Sequence, residues 1–152
     1  YRYHMCSNVH TEKGFPADTN NAVAAKLLTR LHKKLENYED EITTYKFFGA
    51  EDYDTLIVAY GCVTRAAKDA ANAMNAEGGK VGVLQLQSLW PFPKKVVAEY
   101  AEKANKVLMP EMNLGQLIDQ VRLATNKPVE GLNRFDGAEI TPQQIIEKVR
   151  EM

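Results

Sequence analysis

Cysteine is scarce in this sequence, and neither sign of charge dominates it. Two cysteines, Cys6 and Cys62, occur among 152 residues without a CxxC pair, which rules out a cysteine-based zinc or iron-sulfur site within the chain. The same scarcity argues against a disulfide scaffold and favours a reducing cytoplasm. Nineteen Lys and Arg residues stand against 20 Asp and Glu residues, for a net charge of −1. Electrostatics therefore gives no reason to expect nucleic acid or an anionic membrane as a partner.

Long apolar runs are absent too. The best of them, residues 56–60, is strand-sized and far short of the roughly 18 residues that a membrane-spanning helix needs. Hydrophobic residues make up 45% and charged residues 26%, which are ordinary values for a globular domain with its own core. The chain starts without Met and without a signal pattern. We expect a piece of a longer polypeptide, with a disordered start as the alternative.

The first part of the chain is predicted to be a connector followed by a helix. Residues 1–17 contain Gly14 and Pro16 and show no sustained period, so we assign them as a connector and residues 18–152 as the domain. Basic residues cover much of the predicted helix, a pattern more typical of a solvated face than of a docking surface. Its apolar residues recur at three- and four-residue steps: Ala24, Leu28, Leu31, Leu35 and Tyr38.

Strands then alternate with helices to the end of the chain. This alternation predicts right-handed crossovers and a mainly parallel sheet covered on both faces. The link between the first two strands is too short for a crossover helix, so the first strand is predicted to run antiparallel. The fold class is therefore α/β, a three-layer α/β/α domain with about five strands, one of them reversed. The predicted strands are residues 42–48, 55–60, 81–86, 106–109 and 129–133.

Two of the loops that follow strands could hold a ligand or a partner, since binding sites in such sheets lie at the carboxyl ends of the strands. Residues 61–64 open a helix, where free N–H groups receive anions. We favour the simpler interpretation of a tight turn with Thr64 as the helix cap. Residues 88–93 hold Trp90 and Phe92 among prolines. Rigid aromatics are typical interface anchors, and packing onto the domain's own core is an equal alternative.

A third loop carries a carboxylate. Glu111 ends a strand, and Asn113 and Gln116 lie near the next helix start. Glu111 could serve as a general acid or base, but we favour a role at the positive helix end because no partner acid or base accompanies it. The three histidines lack metal-ligand spacing, and no Ser-His-Asp order, carboxylate pair or phosphate-binding glycine loop is present. The chain does not have the pattern of a complete enzyme.

Four segments carry a family resemblance. They are LIVAYGCVTRAA (56–67), KVGVLQLQSLWPFP (80–93), KVLMPEMNLGQL (106–117) and ITPQQI (140–145). Together with HTEKGFP (10–16), they resemble the carboxyl-terminal part of the α subunit of 2-oxoacid:ferredoxin oxidoreductases, most of all the 2-oxoglutarate type. LWPFP and PEMNLGQL are fairly specific, whereas VAYG followed by a helix is shared with transketolase carboxyl-terminal domains in general.

The resemblance implies a transketolase carboxyl-terminal-like domain that a connector joins to a missing N-terminal pyrimidine-binding domain. The implied enzyme cleaves a 2-oxoacid oxidatively with thiamine diphosphate and Mg, transfers the acyl group to coenzyme A, and passes electrons through iron-sulfur clusters to ferredoxin. These cofactors are expected outside this fragment, with thiamine diphosphate on a β subunit, so the fragment should be catalytically silent and serve in docking. The implied docking contacts are Trp90, Phe92, Glu111, Asn113 and Gln116.

Three alternatives remain open at this point. The chain could be the equivalent domain of a transketolase-like dehydrogenase β chain. It could be a non-enzymatic module that binds an anion or nucleotide at residues 61–64. It could also be a regulatory interaction domain without an enzyme partner.

Overall fold

The computed structural model describes residues 8–152, and these divide into two compact units, with the boundary between residues 42 and 43. The first seven residues of the predicted connector lie outside the described residues. In the first unit, a loop closed by a bridge between His10 and Pro16 precedes helix α1 (Asn21–Glu36). The Asn20 side chain caps α1 by accepting a hydrogen bond from the Val23 N–H at 3.2 Å.

A short helix, α2 (Glu39–Ile42), closes the first unit. The predicted start of the first strand, residue 42, is wrong by three residues. Glu39, Asp40 and Glu41 are poor strand residues and lie in the first turn of α2, where negative charge is favourable. The first strand therefore begins at Tyr45.

The second unit is an α/β domain with the predicted alternation of elements. Its sheet has the order β1-β3-β2-β4-β5, in which β1 is antiparallel to β3 and all other pairs are parallel. The predicted fold class is confirmed. The elements are β1 (Tyr45–Gly49), β2 (Thr55–Tyr60), α3 (Val63–Ala76), β3 (Val81–Leu86), α4 (Lys94–Glu102), β4 (Lys106–Glu111), α5 (Ile118–Ala124), β5 (Val129–Asn133) and α6 (Pro142–Glu151).

The reversed strand pairs with β3 rather than with β2, its neighbour in the chain. Strand β3 lies between them, and the five-residue link 50–54 spans that extra strand because neighbouring strands are only about 5 Å apart. Strand β2 thereby gains a partner on both edges, and its side chains are buried on both faces. A continuous apolar run without polar alternation is what such a central strand requires.

Helices cover both faces of the sheet. Leu56 and Val58 point towards α4 and α5, whereas Ile57 and Ala59 point towards α3 and α6. All four side chains are fully buried, and each large one contributes about 1.5–3 kcal/mol to folding. Every helix within residues 8–152 is too short or too polar to cross a lipid bilayer.

An aromatic cluster closes the α4 side of the core near β1. The Phe47 ring lies 5.2 Å from the Tyr53 ring and 5.1 Å from the Tyr100 ring, measured between centroids. Tyr53 is 5% exposed, and its hydroxyl donates a hydrogen bond to the Tyr100 carbonyl at 2.7 Å. Burial raises the pKa of Tyr53 to about 12, because a buried phenolate would lose its hydration.

This raised pKa predicts a loss of stability in alkaline solution. The folded state holds the Tyr53 proton more tightly than the unfolded state. Tyr53 therefore contributes its full stabilising free energy below the pKa of an unfolded tyrosine, about 10, and this contribution declines as the pH rises through about 12. Urea unfolding at pH 8, 10 and 11 measures the decline. Tyr53→Phe should cost about 1 kcal/mol at pH 8 and flatten the pH dependence.

Tyr38→Phe is the matched control, since the Tyr38 side chain is half exposed. It should leave the pH profile of unfolding unchanged. An unaltered alkaline slope in Tyr53→Phe would contradict the role given to that hydroxyl.

Candidate functional site

Three loops meet at the carboxyl edge of the sheet. Strands β3, β2 and β4 are consecutive in the sheet and parallel, so the loops that follow them emerge side by side. Those after β3 and β4 lead into α4 and α5, which pack against each other on one face. The loop after β2 leads into α3 on the other face. This edge is where a domain of this architecture binds ligands or partners.

Glu111 ends β4 and is completely buried. One carboxylate oxygen, Oε1, accepts hydrogen bonds from the Tyr60 hydroxyl at 2.9 Å and from the Leu117 N–H at 3.0 Å. The other, Oε2, accepts from the Ile118 N–H at 3.0 Å. Glu111 thus satisfies N–H groups at the start of α5, and the favoured interpretation as a carboxylate at the positive helix end is confirmed.

Asn113 joins this cluster and shapes the following loop. Its Nδ2 donates to the Tyr60 hydroxyl oxygen at 2.9 Å and to Glu111 Oε1 at 3.2 Å. Its Oδ1 accepts from the N–H groups of Gly115 at 2.8 Å and Gln116 at 3.0 Å, which is an Asx turn. Gly115 has a φ of +91°, a value that favours glycine. The loop is therefore fixed from both sides.

Tyr60 completes the cluster from the end of β2. Burial and the hydrogen bond to the Glu111 carboxylate raise the pKa of Tyr60, so its proton stays on the phenol and the bond to Glu111 is kept. The sequence analysis treated Tyr60 as a strand residue and missed this role. Tyr60 and Glu111 are 51 positions apart, and no local pattern connects them.

The two aromatic residues after β3 differ in their exposure to solvent. Phe92 is 6% exposed and belongs to the core formed with α4 and α5, whereas Trp90 is 77% exposed. Of the two equal interpretations, core packing therefore holds for Phe92. Among the residues predicted as subunit contacts, Phe92 and Glu111 are buried within the domain, with 6% and 0% of their surface exposed. Trp90 and Gln116 remain exposed, and Asn113 is half-buried.

Leu114 is a surface residue that the sequence analysis missed. It is 74% exposed and lies between Asn113, which forms the Asx turn, and Gly115. An apolar residue enclosed by an Asx turn and a glycine is the signal that could have identified it, because such a turn directs the residue away from the domain. With Trp90, on the loop after β3, it gives this edge two large exposed apolar side chains.

The loop after β2 differs from its prediction. Helix α3 begins at Val63, and its N-cap, Cys62, makes no side-chain capping bond. Thr64 is not the cap. Its side chain is 3% exposed, and its hydroxyl oxygen has no hydrogen-bond partner among the described residues. Thr64 lies within the first turn on the side that packs on the sheet, where its hydroxyl cannot reach the free N–H groups of the helix end.

Cys62 lies at the mouth of a small cleft. Its Sγ is 3.5 Å from Met112 Sδ, and the cleft of about 290 Å³ also contacts Arg65, Asp69 and Glu139. Thr141, the N-cap of α6, also lines this cleft. These side chains form no cluster of metal ligands within residues 8–152.

Comparisons with known proteins agree with this architecture. The family described as "Pyruvate:ferredoxin oxidoreductase core domain II" matches residues 53–145. The chain is 37% identical over 148 residues to 2-oxoglutarate synthase subunit KorA of Archaeoglobus fulgidus, covering 97% of this chain and 41% of that protein. It spans the same share, 41%, of the corresponding subunit of Methanothermobacter marburgensis.

Two solved structures are similar in three dimensions. One is a 2-oxoglutarate:ferredoxin oxidoreductase from Magnetococcus marinus with 2-oxoglutarate, coenzyme A and succinyl-CoA bound. Its TM-score is 0.79 and its sequence identity is 26%, and the match covers 93% of this chain and 25% of that one. The other is a split-gene transketolase, with a TM-score of 0.57 and 24% identity, over 70% of this chain and 40% of that one. The second likeness concerns the fold alone and agrees with a transketolase-like domain.

Proposed function

This chain belongs to the pyruvate:ferredoxin oxidoreductase core domain II family, and from that membership we propose that it is the carboxyl-terminal docking domain of the α subunit of a 2-oxoacid:ferredoxin oxidoreductase. The relatives named as 2-oxoglutarate synthase subunits support 2-oxoglutarate as the oxoacid. The parent enzyme would decarboxylate it oxidatively to an acyl-CoA and reduce ferredoxin. Residues 1–17 would connect this domain to the rest of the subunit.

We propose that the cofactors of such an enzyme are bound outside this chain. The one fully buried carboxylate within residues 8–152, Glu111, accepts all its hydrogen bonds from donors of the same chain and is closed to a ligand. The sequence holds two cysteines, fewer than an iron-sulfur cluster requires. We therefore assign thiamine diphosphate with Mg to a β subunit and the clusters to other parts of the complex. The proposed location is the cytoplasm, based on cysteine usage.

The observation that carries the docking role is the exposure of Trp90 and Leu114 at the carboxyl edge. Both side chains are more than 70% exposed, although large apolar side chains are costly to leave in water. The Glu111 cluster holds the Leu114 loop rigid, so little conformational entropy is lost when a partner covers it. Rigid, exposed aromatic and aliphatic anchors are typical of the centre of a protein interface.

The test replaces the matched segment of the Archaeoglobus fulgidus subunit with this chain and co-expresses the chimaera with the other subunits of that enzyme. We expect coenzyme A-dependent reduction of a viologen dye by 2-oxoglutarate from the assembled complex and none from the isolated chain. Trp90→Ala and Leu114→Ala should each weaken assembly about 30-fold, the effect of losing an interface anchor.

Leu123→Ala is the matched control, because Leu123 is 72% exposed but lies towards the far end of α5, away from the carboxyl edge. It should leave assembly unchanged. Equal effects of Leu114→Ala and Leu123→Ala would reject the carboxyl edge as the docking surface. Oxidation of 2-oxoglutarate by the isolated chain would refute the non-catalytic role, and tight binding of a nucleotide or coenzyme A to it, measured by calorimetry, would favour the alternative binding module.

A further inference from the structure

Phe135 is a third large apolar side chain exposed at the carboxyl edge of the sheet. It is 70% exposed and lies on the loop that follows β5, the strand next to β4. Within residues 43–152, four large apolar side chains reach this degree of exposure, and one of them, Leu123, lies on α5. The other three all follow parallel strands at this edge: Trp90, Leu114 and Phe135. Apolar residues scattered singly over a surface would not concentrate in this way.

The loop that carries Phe135 is bonded to the loop after β4. Asn133 Nδ2 donates a hydrogen bond to the Asn113 carbonyl at 3.1 Å, and the Arg134 N–H donates to the Glu111 carbonyl at 3.0 Å. The register of the parallel pair places Glu111 opposite Asn133, so both loops leave the sheet at the same level. The exposed side chains of these two loops therefore belong to one surface.

An ion pair fixes the backbone on both sides of Phe135. Nε and Nη2 of Arg134 donate to the two carboxylate oxygens of Asp136 at 2.8 and 3.2 Å, a bidentate pair. Arg134 Nη1 also donates to the Glu139 carbonyl at 3.0 Å, and Asp136 Oδ1 accepts from the Ala138 N–H at 3.0 Å. The hydrogen bond from Arg134 lowers the pKa of Asp136 to about 2, so the pair persists at neutral pH. A loop held in this way loses little conformational entropy when a partner covers it.

The three loops present almost no charge to a partner. Residues 87–93 and 112–117 contain no Asp, Glu, Lys or Arg, although 26% of the chain is charged. In the third loop, Arg134 and Asp136 neutralise each other, which leaves Glu139 as the one unbalanced charge. A strongly charged occupant, such as nucleic acid or an acidic peptide, would find no complementary groups here, whereas an apolar protein surface would.

We propose that Phe135 joins Trp90 and Leu114 in a single docking surface, and that an apolar, uncharged patch of another subunit of the oxidoreductase covers it. This inference rests on the docking role proposed above and adds to it a further anchor residue and the chemistry of the partner. Arg134 and Asp136 are positioning residues of this surface, since they act through Phe135.

Assembly of the chimaeric subunit with the other Archaeoglobus fulgidus subunits tests the proposal. Phe135→Ala should weaken assembly about 30-fold, while the thermal unfolding of the isolated chain stays unchanged because the ring is exposed. Phe135→Leu keeps a large apolar side chain and should restore most of the affinity. Assembly should change less than about threefold between low and high salt, because few charges are involved. Leu123→Ala, with similar exposure on α5, is the matched control and should have no effect.

A second comparison tests the positioning role. Asp136→Asn removes one charge of the bidentate pair and should weaken assembly by about fivefold, through a looser loop. If Asp136 acts through Phe135, the double variant Phe135→Ala with Asp136→Asn should assemble no more weakly than Phe135→Ala alone. A further loss in the double variant would refute the positioning role.

Three results would overturn the docking surface itself. Normal assembly of Phe135→Ala beside weakened assembly of Leu114→Ala refutes this inference and leaves the proposed function intact. A lower unfolding temperature of Phe135→Ala in the isolated chain means that this chain itself covers the ring. Strong weakening of assembly by salt means that charged groups recognise the partner. A complex that assembles through Phe135 but does not oxidise 2-oxoglutarate supports this inference and counts against the proposed function alone.

Discussion

Glu111→Ala is expected to lower the free energy of unfolding by about 3–5 kcal/mol, because it removes a fully buried, hydrogen-bonded carboxylate. The substitution leaves the N–H groups of Leu117 and Ile118 without acceptors at the start of α5. It also removes the acceptor of the Tyr60 hydroxyl and opens a cavity under a closed surface. Urea unfolding followed by circular dichroism measures the loss.

Glu111→Gln separates the effect of the lost hydrogen bonds from the effect of the lost side-chain volume. It keeps the size of the side chain and one acceptor oxygen. The new NH₂ group, however, faces an N–H group that now donates a hydrogen bond to Glu111, and two donors cannot pair. The expected cost is about 2 kcal/mol, less than that of alanine. Glu51→Gln, at an exposed turn, should cost almost nothing. If Glu111→Gln were as stable as the unaltered chain, the carboxylate would not be needed to hold α5.

Gly49→Ala is expected to cost about 3 kcal/mol, from two sources. Gly49 ends β1 with a φ of +97°, which strains any residue that has a Cβ. A Cβ at this position would also lie 2.4 Å from the Val81 carbonyl oxygen. That oxygen belongs to the backbone of β3 and accepts from the Ala50 N–H, so it cannot move away. Thermal or urea unfolding of the variant measures the cost.

Gly78→Ala separates these two sources. Gly78 has a similar φ of +89°, but a Cβ there meets nothing within 4 Å. Its substitution should therefore cost about 1 kcal/mol, the strain alone. Equal costs at Gly49 and Gly78 would mean that the close approach of β1 to β3 does not contribute.

Much of the local structure followed from the sequence, since local patterns encode it. The residues from Thr141 to Gln144 have the pattern of a capping box, a local signature of a helix start, and both of its hydrogen bonds are present at the start of α6. Glycine is typical of the position just past a helix end, and Gly78, with its positive φ, follows α3. The interpretation of Glu111 at a helix start also held, because a lone carboxylate before a helix has a strong electrostatic preference. Thr64 is not the cap because the N-cap is Cys62, two residues earlier, and a shift of two residues moves a side chain to another face of the helix.

The site itself was less predictable, since it depends on which residues meet across the sheet. Trp90 and Phe92 lie two residues apart in one loop and each precedes a proline, yet one is exposed and the other is buried. Nothing in the loop distinguishes them, because burial of Phe92 depends on the space that α4 and α5 leave beside it. Leu114 was overlooked for the converse reason: an apolar residue is normally expected inside, and its exposure results from an Asx turn that is fixed by Tyr60 and Glu111.

The succession of strands and helices, the parallel character of most of the sheet and the covered faces were determined by the sequence alone, since period and apolar run length are properties of neighbouring residues. Tertiary structure alone decided that β3 inserts between β1 and β2, that Glu111 is closed to ligands, and that Trp90 and Leu114 are left in water at one edge. These are contacts between residues dozens of positions apart. Their free energies depend on the packing of the whole domain, which no short stretch of sequence contains.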